Sequence, residues 1–239
     1  MRTSTLTLLL LGFFALGCSE SSPYEPPALI EVEFQDGVLP HPAYAGTRDA
    51  IMKDSDVSDI SNGNFGPEPH DTLGLVEAGG EFFERRLIIR MDISETSGCA
   101  AVHEATITLT ITPVTGDTLI LETYEALEPA RREGWDEGTG GVGGGVSWLT
   151  YDGSNTWDVP GGSIGAVPVS TDTVAADSLV TIAVPNDLAF RWIKEPWTNH
   201  GLIIKSVTTQ RETFRIVHMR ESASPASRPR FVLSYEKGG

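Results

Sequence analysis

An antiparallel β-sandwich is the fold that the sequence predicts, on three observations. Apolar residues alternate with polar ones at a period of two in segment after segment. A single stretch carries a helical period, and strands do not alternate with helices as a parallel sheet requires. In chain order, residues 29–34 (LIEVEF) read as a first strand or an extended lead-in, and DGVLPHPAYAG continues as loop. DAIMK (49–53) and TLGLVE (72–77) are strand candidates. In RLIIRMDI (86–93), Leu87, Ile89, Met91 and Ile93 share one face, with Arg86, Arg90 and Asp92 on the other. ATITLTIT (105–112) is the cleanest case, since Ala105, Ile107, Leu109 and Ile111 alternate with four threonines. TLILETYEA (118–126) and SLVTIAV (178–184) follow. NDLAFRWIKE (186–195) is the helix: Asn186 or Asp187 can cap it, and Leu188, Trp192 and Ile193 share a face. GLIIKSV (201–207), TFRIVHM (213–219) and RFVLSY (230–235) complete the strands. No internal repeat is visible, so one domain is expected over residues 47–236.

The 239-residue chain opens on MRTSTLTLLLLGFFALGC, in which Arg2 precedes an apolar run from Leu6 to Leu16. Eleven residues are too few to span a bilayer, which takes about 20, and the pattern is that of an export signal. Ala15-Leu16-Gly17-Cys18 match a bacterial lipobox: small residues fit the peptidase cleft, and a thiol takes the diacylglyceryl group. The expected organisation is a signal peptide at 1–17, then an acylated Cys18 with a tether over 18–46, then the domain. The acyl chains are the contact with the membrane, each buried methylene contributing about 0.8 kcal/mol. SESSPYEPPA would hold the domain roughly 30 Å from the head groups. Ser19 is not the aspartate associated with inner-membrane retention, which favours the outer membrane or cell surface. With Cys18 acylated, Cys99 has no disulfide partner and reads as a small apolar residue. The net charge is −16, and loss of Arg2 with the leader leaves −17. That balance excludes nucleic acid as a partner, because phosphate binding needs a basic patch.

Several pieces, in colinear order, resemble the DNRLRE-domain family. DAIMKD, NGNFG and TLGLVEAGG stand near the start, then RRLIIRMDIS and HEATITLTI. WDEGTG (135–140) and VSWLTYDGSNTWDVPGG (146–162) follow, and DLAFRWIKEPWTNHGLIIK, FRIVHMRES and RPRFVLSYE close the match, over about residues 49–236. The family's Arg-Phe-Asp-Leu-Ser is here Arg90-Met91-Asp92-Ile93-Ser94, and a GGVGGG insertion precedes Trp148. The family comprises extracellular jelly-roll modules related to disaggregatase modules and to carbohydrate-binding modules of polysaccharide-degrading enzymes. The resemblance implies a jelly-roll topology and non-catalytic binding of glycan or adhesion.

Motifs that suggest catalysis or metal do not hold up. GTGGVGGG (138–145) lacks the Gly-Lys-Ser/Thr ending of a phosphate loop and reads as a flexible connection. GGSIG (161–165) fits Gly-x-Ser-x-Gly, but an elbow needs a strand before the serine and a helix after it; Ser163 follows Pro160-Gly161-Gly162 and precedes AVPVSTDTVA. The five histidines have no zinc spacing, and Asp152, Asn155 and Asp158 have no calcium-loop spacing. Thirty-three acidic residues always offer carboxylate pairs, so pairs alone carry no weight. No cofactor, metal or catalytic residue is expected. Arg220 and Glu221, with Arg90 and Asp92, read as ion pairs fixing strand ends, with a charged binding site as the alternative.

Carbohydrate is the expected ligand. Sugar C–H faces stack on aromatic rings while amides and carboxylates bind hydroxyls. Trp148 and Tyr151 with Asp152 and Asn155 supply those groups, and Trp197 with Asn199 forms a second candidate of the same kind. Trp157, ahead of the Pro160-Gly161-Gly162 turn, is expected to hold the loop down, Trp192 to be core, and Trp135 either. The alternative function is a structural or assembly lipoprotein that contacts other envelope proteins.

Overall fold

The computed structural model describes residues 28–96, 98–112, 114, 118–127, 134–174, 179–207 and 211–238. The leader, Cys18 and most of the tether lie outside them. The strands are β1 (Leu29–Phe34), β2 (Thr47–Lys53), β3 (Gly63–Asn64), β4 (His70–Ala78), β5 (Glu81–Met91), β6 (Cys99–Thr112) and β7 (Leu119–Glu125). Then come β8 (Gly141–Val142), β9 (Ser170–Val174), β10 (Leu179–Ala183), β11 (Leu202–Ser206), β12 (Thr213–His218) and β13 (Arg230–Lys237). Two helices interrupt them, the four-residue α1 (Ser58–Ser61) and α2 (Asn186–Lys194).

The assigned strand pairings are antiparallel, and the architecture is an antiparallel β-sandwich. One face is β1-β13-β6-β10 and the other runs β12-β4-β5-β11-β7-β9, with β2 on the far side of β5. The long β6 stitches them: its middle pairs with β13 and β10, and Ile111 and Thr112 cross to β12. Alternation puts Ala105, Ile107, Leu109 and Ile111 of β6 inside, with Leu87, Ile89 and Met91 of β5 opposite in the same core. Burying a side chain of that size contributes about 1.5–3 kcal/mol.

Three features depart from expectation. The domain begins near Leu29 rather than Thr47. β1 pairs with β13 along its whole length, Phe34 is completely buried against Tyr44 and Phe231, and Tyr44 donates to Asp92 O at 2.8 Å. Helix α2 is capped by neither Asn186 nor Asp187: Pro185 takes the N-cap position, and Asn186 Nδ2 donates to His103 O at 2.9 Å. The third departure is a second core, on the outer face of the sheet that contains β5. In β2, β5 and β11 the triplets Ala50-Ile51-Met52, Leu87-Ile88-Ile89 and Leu202-Ile203-Ile204 are buried at every position. A strand that is apolar at consecutive positions is covered on both faces. Ala50, Ile88 and Ile203 stand in register across the three strands, and the segment after residue 134 roofs them.

Candidate functional site

The aromatic loop is that roof. Trp135, Val146, Trp148, Tyr151 and Trp157 pack on Ala50, Met52, Ile88 and Ile203. Trp157 Nε1 donates to Ser147 O at 3.0 Å and Trp135 Nε1 to His200 O at 2.9 Å, so these two buried indole N–H groups are satisfied. Tyr151 meets Trp157 edge-on at 5.6 Å between centroids. Arg86 lies over Trp148, 4.7 Å from its centroid, and donates to Gly161 O at 3.0 Å. The Pro-Gly-Gly turn is demanded by contact as well as by conformation. Gly161 and Gly162 have φ of 81° and 95°, and a Cβ would fall 2.7 Å from the Trp148 ring and 2.4 Å from Ile203 Cδ1.

This placement corrects the stacking role expected of Trp148 and Tyr151. They are 8% and 6% exposed, and their ring area is spent on the sheet and on Arg86. Tyr151, Asp152 and Asn155 do come together, around a hollow of about 300 Å³ shared with Arg48, Trp135 and Asp136. Asp152 Oδ1 accepts the amides of Ser154 and Asn155 at 2.9 and 2.6 Å, and Oδ2 accepts Asn155 Nδ2 at 2.7 Å, so these polar groups close their own turn. The glycine run is likewise a compact turn. Thr139 N donates to Gly144 O at 2.9 Å, and β8 pairs with β3. Ser163 is not followed by a helix; Ile164 bridges to Ala126.

Trp197 is placed differently. Pro196 opens a 3-10 turn over Pro196–Thr198, and the indole beyond it is 70% exposed. It lines a solvent-open groove of about 820 Å³ with Glu125, Leu127, Arg191, Thr198 and His200. Arg191 of α2 pairs with Glu125 at the end of β7, setting a charged pair beside the ring. Asn199, expected as a ligand-binding residue here, is buried: Nδ2 donates to Met91 O at 2.8 Å and Oδ1 accepts Gly201 N at 3.1 Å. It braces the turn that carries Trp197. The groove size is that of a small-ligand cleft, and its mixture of one bare aromatic with a charged pair suits a hydroxylated ring.

A third assembly joins residues far apart in sequence. Arg220, just past β12, pairs with Glu137 Oε2 and Glu221 Oε1, each at 2.6 Å, and with Asp36 Oδ2 at 3.4 Å. Its backbone N–H donates to Asp49 Oδ2 at 2.9 Å, and Asp49 N donates to Glu137 Oε1 at 3.0 Å. The ion pairs expected of Arg220 and Glu221 thus exist, with Asp36 and Glu137 as the additional partners in place of Arg90 and Asp92. Burial, reinforced by the neighbouring charge of Glu221, holds the Asp49 carboxyl well above the usual range. Burial also pushes Glu221 up to about 7 against the opposing pull of Arg220. Sequence reasoning missed Asp49 and Glu137 because 87 residues lie between them, and only the fold brings them to the Arg220-Glu221 pair.

Compared with protein-family models and with curated proteins, the chain matches none of them.

Proposed function

We propose that the chain is a non-catalytic surface lipoprotein module of DNRLRE type that holds polysaccharide in the groove beside Trp197. One observation carries this reading: of five tryptophans, Trp135, Trp148, Trp157 and Trp192 are 8% exposed or less, whereas Trp197 is 70% exposed on a braced turn. An exposed indole on a fixed turn offers a flat apolar face on which the C–H face of a sugar ring can stack. Thr198 and the Arg191–Glu125 pair supply hydroxyl-binding groups at its edge. The −17 charge of the mature chain favours a neutral or weakly charged glycan over a sulfated or uronate-rich one. The lipobox at Cys18 supplies the anchor, to the outer membrane or cell surface, without a cofactor.

Glycan-array binding of the purified protein, compared with Trp197→Ala, tests the reading. Loss of sugar binding in the variant supports it. Capture of an envelope protein through Trp197, with no glycan bound, favours the assembly role instead. Mass spectrometry of the mature N-terminus tests the anchor: an acylated Cys18 is expected, and a different or unmodified N-terminus overturns it.

A further inference from the structure

The carboxylates around Arg220 are more numerous than one guanidinium satisfies. Asp36, Asp49, Glu137 and Glu221 all contact Arg220 by side chain or backbone, with Arg48 as a further, more distant positive charge acting on Glu137. Oxygens of Asp49, Glu137 and Glu221 lie within 4.8 Å of one another. Asp49 is completely buried, yet its Oδ1 accepts no hydrogen bond, and Glu221 Oε2 is equally shut off and without a partner. Arg220 answers part of this charge, but an isolated buried carboxylate oxygen is costly, and the two left without a partner beside a third carboxylate point to a cation in addition to Arg220.

We propose that Asp49, Glu137 and Glu221 bind a calcium ion. The donor set is oxygen alone, which selects a hard cation over zinc or copper. Two oxygens on opposite sides of one calcium ion stand about 4.8 Å apart, from a metal–oxygen distance of roughly 2.4 Å, so the observed spread fits a single ion. Magnesium holds a stricter octahedron and keeps more of its water, which a buried, irregular group of protein donors serves poorly. Asp49 Oδ1 and Glu221 Oε2 are the open ligand atoms, and Glu137 Oε1 has a second lone pair beyond the one that accepts Asp49 N. The ion ties three separate pieces of chain: β2 through Asp49, the turn after β12 through Glu221, and the roof of the second core through Glu137, two residues beyond Trp135. Calcium therefore fastens the roof to the sheet.

Isothermal titration of the EDTA-stripped, dialysed full chain with calcium chloride, paired with thermal melts in calcium, magnesium and EDTA, tests this. One ion bound per chain and a higher melting temperature in calcium than in magnesium or EDTA are expected. Asp49→Asn should abolish the saturable heat. Because a buried substitution can also impair folding, Glu221→Gln, at a half-buried position, serves as the second variant and should weaken calcium binding by roughly tenfold or more while the protein still folds. Equal melting temperatures in calcium and EDTA overturn the proposal. So does calcium binding that Glu221→Gln leaves unchanged, which would mark general attraction to an acidic surface.

Discussion

Residues 146–162 and residues 196–199 have the same composition on paper, tryptophan among turn-forming polar residues, and opposite fates in the fold. Trp148 and Trp157 lie over a sheet whose outer face is Ala50, Met52, Ile88 and Ile203, and they are consumed in covering it. Trp197 covers no such apolar face among the described residues: its turn is fixed from below by Asn199, and the ring is 70% exposed. Whether an aromatic loop becomes roof or platform is thus decided by the sheet beneath it.

That contrast can be broken by substitution. Trp157→Ala empties the centre of the second core and orphans the carbonyl of Ser147; it should cost about 3–5 kcal/mol, read by chemical denaturation. Gly162→Val puts a branched side chain at a positive φ and into Ile203, and should cost about 2–4 kcal/mol in the same assay. Trp148→Ala, at the rim, should cost about 2–3 kcal/mol, somewhat below a fully buried tryptophan because part of its cover is the charged side chain of Arg86 rather than apolar core. Trp197→Ala should change stability by less than about 0.5 kcal/mol, as for an exposed position without structural partners. A Trp148 variant as stable as wild type would remove the distinction between the two loops.

Much of the sandwich was legible, since Leu87, Ile89 and Met91, or Ala105 to Ile111, leave little choice of face once the period is two. Strand β1 is ambiguous in the sequence because it is short and follows the proline-rich tether ending at Pro26-Pro27; only the partner strand β13 makes it a strand. STDTV of β9 carries little strand signal in the sequence, with Val174 as its one large apolar residue, because an edge strand buries little. The second core had a signal that alternation obscures: LII at 87–89 and again at 202–204, each too apolar for a half-exposed strand. Reading those triplets as two-sided would have assigned the nearby tryptophans to a roof. The Asp49–Glu137–Glu221 group had no such signal. Its members sit far apart among 33 acidic residues, and long-range pairing alone selects them.

The most direct test of the account is the affinity of Trp197→Ala for the best-bound polysaccharide, measured beside Trp148→Phe. The account predicts that Trp197→Ala loses about 1–2 kcal/mol of binding, the worth of one aromatic contact, at an unchanged melting temperature, while Trp148→Phe binds as wild type does. Full binding by Trp197→Ala, or loss of binding in a folded Trp148→Phe, would contradict it.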